Sequence, residues 1–220
     1  MITAHHLVFG RKAIVKNEGL ILDLPLQNNF TDTTGYNTMI AGRTSNLPTF
    51  TLEGGEYAAT FNGSQSLKTN SNFVINSDKV SISFWIKTNQ TAIAIIAELS
   101  SVFDKYNAFA AYINSPSNRI TMADHTTIYN RTSGSTVINN NSWHHVVLIT
   151  DRSLGTNQTK IYIDNNLVTV VDTAGYLNGN FGSFPLFIGQ RGGSSLGFNG
   201  QMKFLKIFNY PLSPSEITNL

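Results

Sequence analysis

Short stretches in which hydrophobic and polar residues alternate run along most of the chain, separated by loops rich in Asn, Gly, Ser and Thr. The clearest is VSISFWIK at residues 80–87, where Ile82, Phe84 and Ile86 fall on one side and the residues between them on the other. A period of two predicts a β-strand with one buried face. Segments of the same kind are found at residues 19–26, 55–63, 108–114, 119–124, 143–150, 160–171, 184–189 and 200–208.

Two local patterns predict how segments turn or end. KIYIDNNLVTVV is predicted to form a hairpin, because Asn165 and Asn166 lie between two β-rich arms and Asn tolerates the positive φ of a tight turn. Near the C-terminus, Ser213 suits an N-cap, Pro214 the first helical position and Glu216 the closing position of a capping box. One short helix is therefore expected at the end of the chain.

Strands at regular spacing without intervening helices leave a sandwich or a barrel as the fold. The segment WHHVVLIT favours a sandwich, because apolar residues occupy both faces of the strand. Val147 and Ile149 fall on one face with Trp143, and Val146 and Leu148 fall on the other. The chain shows no internal repeat and no linker-like change in composition. One all-β domain with two stacked sheets is therefore expected.

Composition argues against several partners. Charged residues make up 13% of the chain, the net charge is +2, and the scattered basic residues form no stripe for a line of phosphates. No run of about 18 apolar residues is present that could span a bilayer. Cysteine is absent, which excludes disulfides and thiolate metal sites. Neither nucleic acid nor membrane insertion is expected, and packing alone must hold the fold.

Residues 1–17 lack the turn-bounded strand pattern and are predicted to be an N-terminal arm or a first edge strand, with the domain at residues 18–220. Leu7, Val8 and Phe9 form an apolar patch that is too short for a signal-peptide core, and the basic residues follow it. Direct secretion is therefore not expected. A short apolar patch flanked by basic residues predicts packing against a partner or a neighbouring copy.

A series of motifs runs from about Glu18 to Leu220: GLILDLPLQNNFTDTTGYN, AATFNGSQSLKTNSNFVINSDKVSISFWIKTN, SWHHVVLITD, KIYIDNNLV, LFIGQ and FNGQMKFLKIFNYPLSPSEI. In this order the motifs resemble the laminin G-like, concanavalin A-like family, particularly its bacterial and phage members. The resemblance implies an all-β, two-sheet antiparallel jelly-roll sandwich. It also raises the questions of a structural calcium ion, of catalysis and of sugar binding.

The adjacent histidines of SWHHVVLITD are interpreted as architecture. Neighbouring residues of a strand point to opposite faces, so His144 and His145 cannot easily chelate one ion. In the family, the corresponding strand belongs to the sandwich, and the resemblance assigns His145 to its histidine position.

Many members of the family hold a structural calcium ion, and the resemblance places Asp32 at the acidic position of a turn, followed by Thr34 and Gly35. The closing strand departs from the pattern, because Lys203 and Phe204 stand where relatives often carry paired acids. Calcium prefers several oxygen ligands with negative charge, and a nearby lysine opposes it. Asp32 is therefore expected to cap its own turn. No metal or other cofactor is predicted, with structural calcium as the alternative.

The same jelly roll occurs in glucanases, whose carboxylates lie along one strand as E-x-D-x-x-E; a retaining glycosidase needs such a close pair. The chain has 13 acidic residues, and none forms that motif. Glu53 and Glu56 come nearest, but the two glycines between them indicate a turn. No Ser-His-Asp order, phosphate loop or zinc signature is present either. The sequence therefore predicts a protein without enzymatic activity.

Sugar binding is predicted for two late loops. Sugars are held by aromatic faces and by Asn, Asp and Arg side chains, which usually lie in loops on a rigid sandwich. The alternative is that these loops are connectors whose aromatic rings lie on the sandwich edge, as expected for Phe198. The candidate ligand-binding residues are Tyr176, Asn178, Asn180 and Phe181 in DTAGYLNGNFGSF, and Gln190 and Arg191 in QRGGSSLGFNG.

Three functions are compatible with these observations. The first is a non-catalytic structural and adhesion module, made in the cytoplasm and assembled in multiple copies into a phage virion as a capsid decoration, head fibre or tail protein. Residues 1–17 would then contact other structural proteins, and the domain would bind cell-surface glycans. The alternatives are a stand-alone extracellular carbohydrate-binding lectin and, third, a divergent glycoside hydrolase.

Overall fold

The computed structural model describes residues 19–42, 46–100, 107–125, 129–168, 170–172 and 177–220. The predicted N-terminal arm at residues 1–17 and the candidate Tyr176 lie outside these ranges. The division of the chain at residue 18 therefore remains a prediction.

Almost all regular structure in this part of the chain is β-strand, as the alternating pattern predicts. Among the described residues, no helix has the length and apolar character needed to span a bilayer. The elements in chain order are β1 (Leu20–Leu24), β2 (Met39–Ala41), β3 (Thr49–Glu53), β4 (Glu56–Asn62), β5 (Leu67–Thr69), β6 (Phe73–Val74), β7 (Lys79–Lys87), β8 (Ala94–Leu99), β9 (Ala108–Ile113), β10 (Arg119–His125), β11 (Tyr129–Val137), β12 (Trp143–Asp151), β13 (Thr159–Ile163), β14 (Asn166–Leu167), β15 (Val170–Asp172), β16 (Ser183–Phe184), β17 (Leu186–Ile188), β18 (Asn199–Phe208) and α1 (Pro214–Thr218).

The strands form two large antiparallel sheets and one small one. The first sheet has the order β14-β13-β12-β7-β18-β4-β3, and β1 also pairs with β18. The second sheet has the order β15-β11-β10-β9-β8-β17-β5-β2, and a short pair joins β16 to β6. This arrangement confirms the predicted two-sheet antiparallel sandwich.

The main hydrophobic core lies between the two large sheets. Ile82, Phe84 and Ile86 of β7 are fully buried in it, together with Ile96 and Phe109 from the second sheet. The burial of these residues agrees with the period of two in VSISFWIK. Burying such a side chain contributes about 1.5–3 kcal/mol, and this packing holds the sheets together without disulfides.

A second, smaller hydrophobic cluster covers the outer face of the first sheet. Val147 and Ile149 of β12 pack there with Ile217 of α1, whereas Val146 and Leu148 face the main core. The segment WHHVVLIT is therefore apolar on both faces because both faces are covered, as predicted.

The C-terminal helix begins with the predicted capping box. The backbone N–H of Glu216 donates to Ser213 Oγ at 3.3 Å, and the backbone N–H of Ser213 donates to Glu216 Oε2 at 2.7 Å. The Tyr210 hydroxyl donates to Glu216 Oε1 at 2.8 Å. Burial, together with this carboxylate, raises the pKa of Tyr210 to about 12. The helix is thereby anchored to the end of β18.

Some strands and one turn differ from the sequence-based expectations. The alternating pattern does not predict β8, because its residues are buried on both faces and are apolar almost throughout. Nor does it predict β11, whose sequence YNRTSGSTV is mostly polar. The predicted hairpin exists in β13 and β14, but its second arm is shorter than predicted, because β15 pairs with β11 of the second sheet. Asp164 and Asn165 make its tight turn, with φ values of 52° and 66°. The turn lies one residue earlier than predicted.

Candidate functional site

The first predicted sugar-binding loop places its residues in different environments. Phe181 is buried in the main core, edge-on to Phe109 with 6.0 Å between ring centroids. The guanidinium carbon of Arg152 lies 3.7 Å from the Phe181 ring centroid. Asn178 and Asn180 are exposed. The Phe181 ring therefore packs against the protein itself, as expected if this loop is a connector whose aromatic ring lies on the sandwich.

The second predicted loop is held by its own polar residues. The Gln190 side chain is buried, and its Nε2 donates to the carbonyl of Gly63 at 3.0 Å. Arg191 Nε donates to Oε2 of the fully buried Glu98 at 2.9 Å. Gln190 thus joins two loops, and Arg191 neutralises a carboxylate of the second sheet. Ligand binding by either loop remains a prediction.

The adjacent histidines have the structural roles predicted for them. His145 is buried, stacks on Trp85 with 5.2 Å between ring centroids, and places its Nε2 2.9 Å from Ser83 Oγ. Burial lowers the pKa of His145, so its ring is neutral near pH 7. His144 lies on the opposite face of the strand, where its Nδ1 is 2.8 Å from Asp164 Oδ2. The two rings diverge and do not share one site.

Asp32 organises the loop between β1 and β2. Its buried carboxylate accepts hydrogen bonds at 2.7–3.1 Å from the backbone N–H groups of Asp23, Thr34 and Asn37, the Thr34 hydroxyl and the Asn37 side-chain amide. The predicted role of Asp32 as the cap of its own turn is confirmed. Within the described ranges, no cluster of three or more His, Asp or Glu side chains could hold a metal. That the protein works without a cofactor stays a prediction.

An open groove lies at the edge of the sandwich, between the start of β1, the loop before β2, and β6. Its volume is about 510 Å³. Its described lining includes four asparagines and an exposed tyrosine but no Asp, Glu, Lys, Arg or His. We call it the amide groove, and it is lined by Gly19, Leu20, Ile21, Tyr36, Asn37, Asn72, Phe73, Val74, Ile75, Asn76 and Asn209.

Hydrogen bonds orient two of the asparagines. Asn37 Nδ2 donates to the carbonyl of Ile21 at 3.0 Å, and Asn72 Nδ2 donates to the carbonyl of Ser183 at 3.0 Å. Because a donor bond fixes the rotation of each amide, its carboxamide oxygen has a defined direction. Tyr36 is 52% exposed beside them. The groove thus combines fixed amides with an accessible aromatic ring.

A second depression, of about 350 Å³, adjoins the amide groove at Asn37. The carboxylate in its wall belongs to Asp32, whose oxygens already accept hydrogen bonds from the loop. Amides exchange hydrogen bonds with hydroxyl groups, and aromatic faces contact C–H surfaces, so the two depressions together suit an extended, uncharged, polyhydroxylated ligand. The second depression is lined by Phe30, Thr31, Asp32, Asn37, Thr38 and Met39.

Sequence reasoning misses the amide groove because its residues come from three distant parts of the chain, at 19–37, 72–76 and 209. Asn carries little signal here, since 25 asparagines are spread along the sequence. The triplet GYN at residues 35–37 is a local cue, because it puts an aromatic residue beside Asn in a turn.

An antiparallel sandwich with this strand order and a polar groove at its edge is a jelly-roll domain of the lectin-like class. The family model of the concanavalin A-like lectin/glucanases superfamily matches residues 61–218. The chain therefore belongs to this superfamily, which confirms the resemblance seen in its motifs.

Solved structures share the fold. Domain 4 of AbnA, a GH43 extracellular arabinanase from Geobacillus stearothermophilus in complex with arabinotriose, is 18% identical, with 91% of this chain and 97% of that chain covered and a TM-score of 0.68. The binding domain of Paraclostridial Mosquitocidal Protein 1 is 13% identical over 90% of this chain, with a TM-score of 0.67. The binding domain of Botulinum Neurotoxin DC in complex with SialylT is 17% identical over 92% of this chain, with a TM-score of 0.67.

The chain spans about half the length of the two toxin binding domains, at 51% of each. No curated protein sequence matches the chain. At such identities the structural likeness shows the fold alone.

Proposed function

We propose that the chain is a non-catalytic carbohydrate-binding module that holds an uncharged saccharide in the amide groove. The observation that carries this proposal is the lining of the groove, with four asparagines, an exposed tyrosine and no charged side chain among its described residues. Neutral amides match uncharged hydroxyl groups in both hydrogen-bond directions. A groove that recognises an ionic ligand would need a compensating charge.

The structural relatives support a sugar as the ligand. The arabinanase domain was solved with arabinotriose, and the neurotoxin DC binding domain was solved with SialylT. The volume of about 510 Å³ is in the usual range for ligand pockets, and the adjoining depression lengthens the site. We therefore assign a short chain of neutral sugar units as the ligand.

The two nearest candidates for catalytic carboxylates do not support catalysis. Glu53 and Glu56 pair across the β3–β4 turn. Lys87 Nζ is 2.7 Å from Glu53 Oε1, and Lys203 Nζ is 2.5 Å from Glu56 Oε2. The hydrogen bond from Lys87 lowers the pKa of Glu53, whereas a general acid of a glycosidase needs a raised pKa. Neither glutamate lines the amide groove.

Replacing Tyr36 with alanine should weaken the binding of a neutral oligosaccharide at least about tenfold, because the accessible aromatic face of the groove is lost. Asn209→Ala should also weaken binding, through the loss of a hydrogen-bonding side chain from the groove wall. A panel of neutral trisaccharides that includes arabinotriose serves to find the ligand, and isothermal titration calorimetry then measures the affinities.

Leu167→Ala is the control for this experiment, because it removes a similarly exposed apolar side chain from β14, outside the groove. We expect the Leu167→Ala protein to bind like the wild-type protein. Equal affinities of the wild-type and Tyr36→Ala proteins would contradict the assignment of the site.

We also propose, from the sequence resemblance to phage members of the family, that the module works in many copies as a capsid decoration, head fibre or tail protein of a virion. Residues 1–17 would then contact neighbouring structural proteins. Deleting residues 1–17 should leave the unfolding temperature of the domain nearly unchanged but remove the protein from purified particles, as detected by mass spectrometry. Incorporation of the truncated chain would contradict the role of residues 1–17, and absence of the full-length chain from purified particles would favour a stand-alone lectin.

A further inference from the structure

A charged and aromatic cluster lies on the outer face of the first sheet and shares no residue with the amide groove. The β3–β4 hairpin ends in the sequence EGGE, with Glu53 and Glu56 paired across the turn. Lys87 Nζ contacts Glu53 Oε1 at 2.7 Å, and Lys203 Nζ contacts Glu56 Oε2 at 2.5 Å. Lys87 and, to a lesser extent, the Trp143 side chain lower the pKa of Glu53. We call Lys87, Trp143 and Lys203 the donor cluster.

Aromatic rings hold Lys203 in position independently of Glu56. The Lys203 Nζ lies 4.8 Å from the ring centroid of Trp143, 5.4 Å from that of Phe204 and 5.9 Å from that of Trp85. Cations within about 6 Å of an aromatic face are attracted to it. The ammonium group is therefore preorganised to receive an anion, whichever carboxylate supplies it.

A β-bulge in β18 brings these groups together. The register against β7 shifts between Lys203 and Lys206, and Phe204 has a φ of 53°. A bulky aromatic residue rarely adopts a positive φ, and bulges often re-aim side chains next to binding sites. In a regular strand, consecutive residues point to opposite faces. The bulge instead lets the Phe204 ring lie beside the Lys203 ammonium group.

The two glutamates approach the donor cluster from the solvent side. Their side chains are 45% and 53% exposed, whereas those of Lys87 and Lys203 are 20% and 15% exposed. The glycines of the turn have positive φ and open space around them. Ion pairs as exposed as these contribute little to stability and weaken in salt. Other carboxylates can therefore replace those of the turn at small cost.

We propose that the donor cluster is a second binding site, which takes the carboxylates of an acidic saccharide in place of Glu53 and Glu56. A saccharide is favoured over an acidic peptide because the half-buried rings of Trp85 and Trp143 flank the Lys203 ammonium group, and such rings contact the C–H faces of sugars. This inference rests on the proposed carbohydrate-binding function but uses a separate site. The EGGE turn is then an internal competitor of the ligand.

Glutamine substitutions in the turn test the proposal. E53Q and E56Q should each bind polygalacturonate, a carboxylated saccharide, at least about threefold more tightly than the wild-type protein, because each removes a competing carboxylate. D78N is the matched control. It also removes one negative charge, but Asp78 directly precedes the start of β7, whereas Lys87 lies at its other end. The D78N protein should bind polygalacturonate like the wild-type protein. Biolayer interferometry at low and at physiological salt measures the affinities.

Removing the ammonium groups provides the converse test. K203M keeps an aliphatic stem against the rings but removes the charge, and it should abolish the tighter binding when combined with E56Q. K87M should do the same when combined with E53Q. Thermal unfolding of each variant verifies that it is folded before its affinity is compared.

Three results would overturn the proposal. The first is equal affinity of E53Q, E56Q and D78N for polygalacturonate. The second is that E53Q combined with K87M, or E56Q combined with K203M, binds polygalacturonate as tightly as E53Q or E56Q alone. The third is polyglutamate binding as tightly as polygalacturonate, which would identify a surface for acidic peptides instead. Binding of neutral trisaccharides should be unchanged in all these variants, so failure at this site is distinguishable from failure at the amide groove.

Discussion

Replacing Arg152 with methionine is expected to lower the free energy of unfolding by about 3–5 kcal/mol at pH 7. The side chains of Arg152 and Asp124 are 0% and 3% exposed. The guanidinium donates to both carboxylate oxygens, from Nε at 3.0 Å and also from Nη2. Methionine retains much of the side-chain volume but leaves the buried carboxylate without its guanidinium partner. Chemical denaturation followed by tryptophan fluorescence measures the loss.

The decrease in the free energy of unfolding caused by Arg152→Met should depend on pH in a defined direction. Burial raises the pKa of Asp124 above 3.8, and the hydrogen bonds from Arg152 oppose this rise. Without Arg152 the pKa should rise further. A folded-state pKa above the unfolded value means that folding takes up a proton, so the stabilisation is present at low pH and lost as the pH rises. The deficit relative to the wild-type protein should therefore shrink as the pH falls from 7 toward about 5.

Lys79 and Asp151 provide the matched control, because their ion pair lies nearer the surface, with Lys79 Nζ 3.2 Å from Asp151 Oδ1. Lys79→Met should cost no more than about 1 kcal/mol. If Lys79→Met and Arg152→Met lowered the free energy of unfolding equally, burial would not determine how much the Arg152–Asp124 pair contributes to stability.

Arg152 also connects the core to the first predicted sugar-binding loop. Its Nη1 donates to the carbonyl of Gly179 at 3.0 Å. Gln158 holds the same loop through Leu177, donating to its carbonyl at 2.6 Å and accepting from its N–H at 2.9 Å. In the sequence, DTAGYLNGNFGSF has the composition of an open loop. The buried polar groups that hold it come from the loop between β12 and β13, so no local pattern in DTAGYLNGNFGSF could reveal them.

The elements that the sequence predicts well are those determined by residues close together in the chain. Ile82, Phe84 and Ile86 mark the buried face of β7 because its other face carries polar or amphipathic residues. The C-terminal helix was predictable because its cap depends on residues three positions apart, Ser213 and Glu216. In both cases the physical cause is local, so a short stretch of sequence contains it.

The features that the sequence does not predict depend on contacts between distant segments. The strand β8 is buried on both faces, so it lacks the alternation that marks a half-exposed strand. Lys203 and Phe204 were recognisable only as a departure from the family pattern, because their partner Trp143 lies on another strand. The amide groove is of the same kind, since Tyr36 and Asn209 come together only in the folded sandwich.

Replacing Asp32 with asparagine is expected to lower the free energy of unfolding by about 2–3 kcal/mol and to weaken saccharide binding in the amide groove at least about tenfold. In the wild-type protein, Oδ1 accepts from the N–H groups of Asp23 and Thr34, and Oδ2 accepts from the N–H and Nδ2 of Asn37. The new amide nitrogen is a donor and must face one of these donor pairs in either orientation. The loop that carries Tyr36 and Asn37 should therefore lose its fixed position.

Asn29→Ala is the control for this substitution, because Asn29 caps an exposed turn of the same loop by accepting from the N–H of Thr31 at 2.9 Å and does not line the groove. It should cost less than about 1 kcal/mol and leave saccharide affinity unchanged. Thermal or urea denaturation gives the stabilities, and calorimetric titration with the neutral trisaccharide gives the affinities. If Asp32→Asn lowered stability but left the affinity intact, Asp32 would support the fold alone, and the groove would not depend on the loop that Asp32 holds.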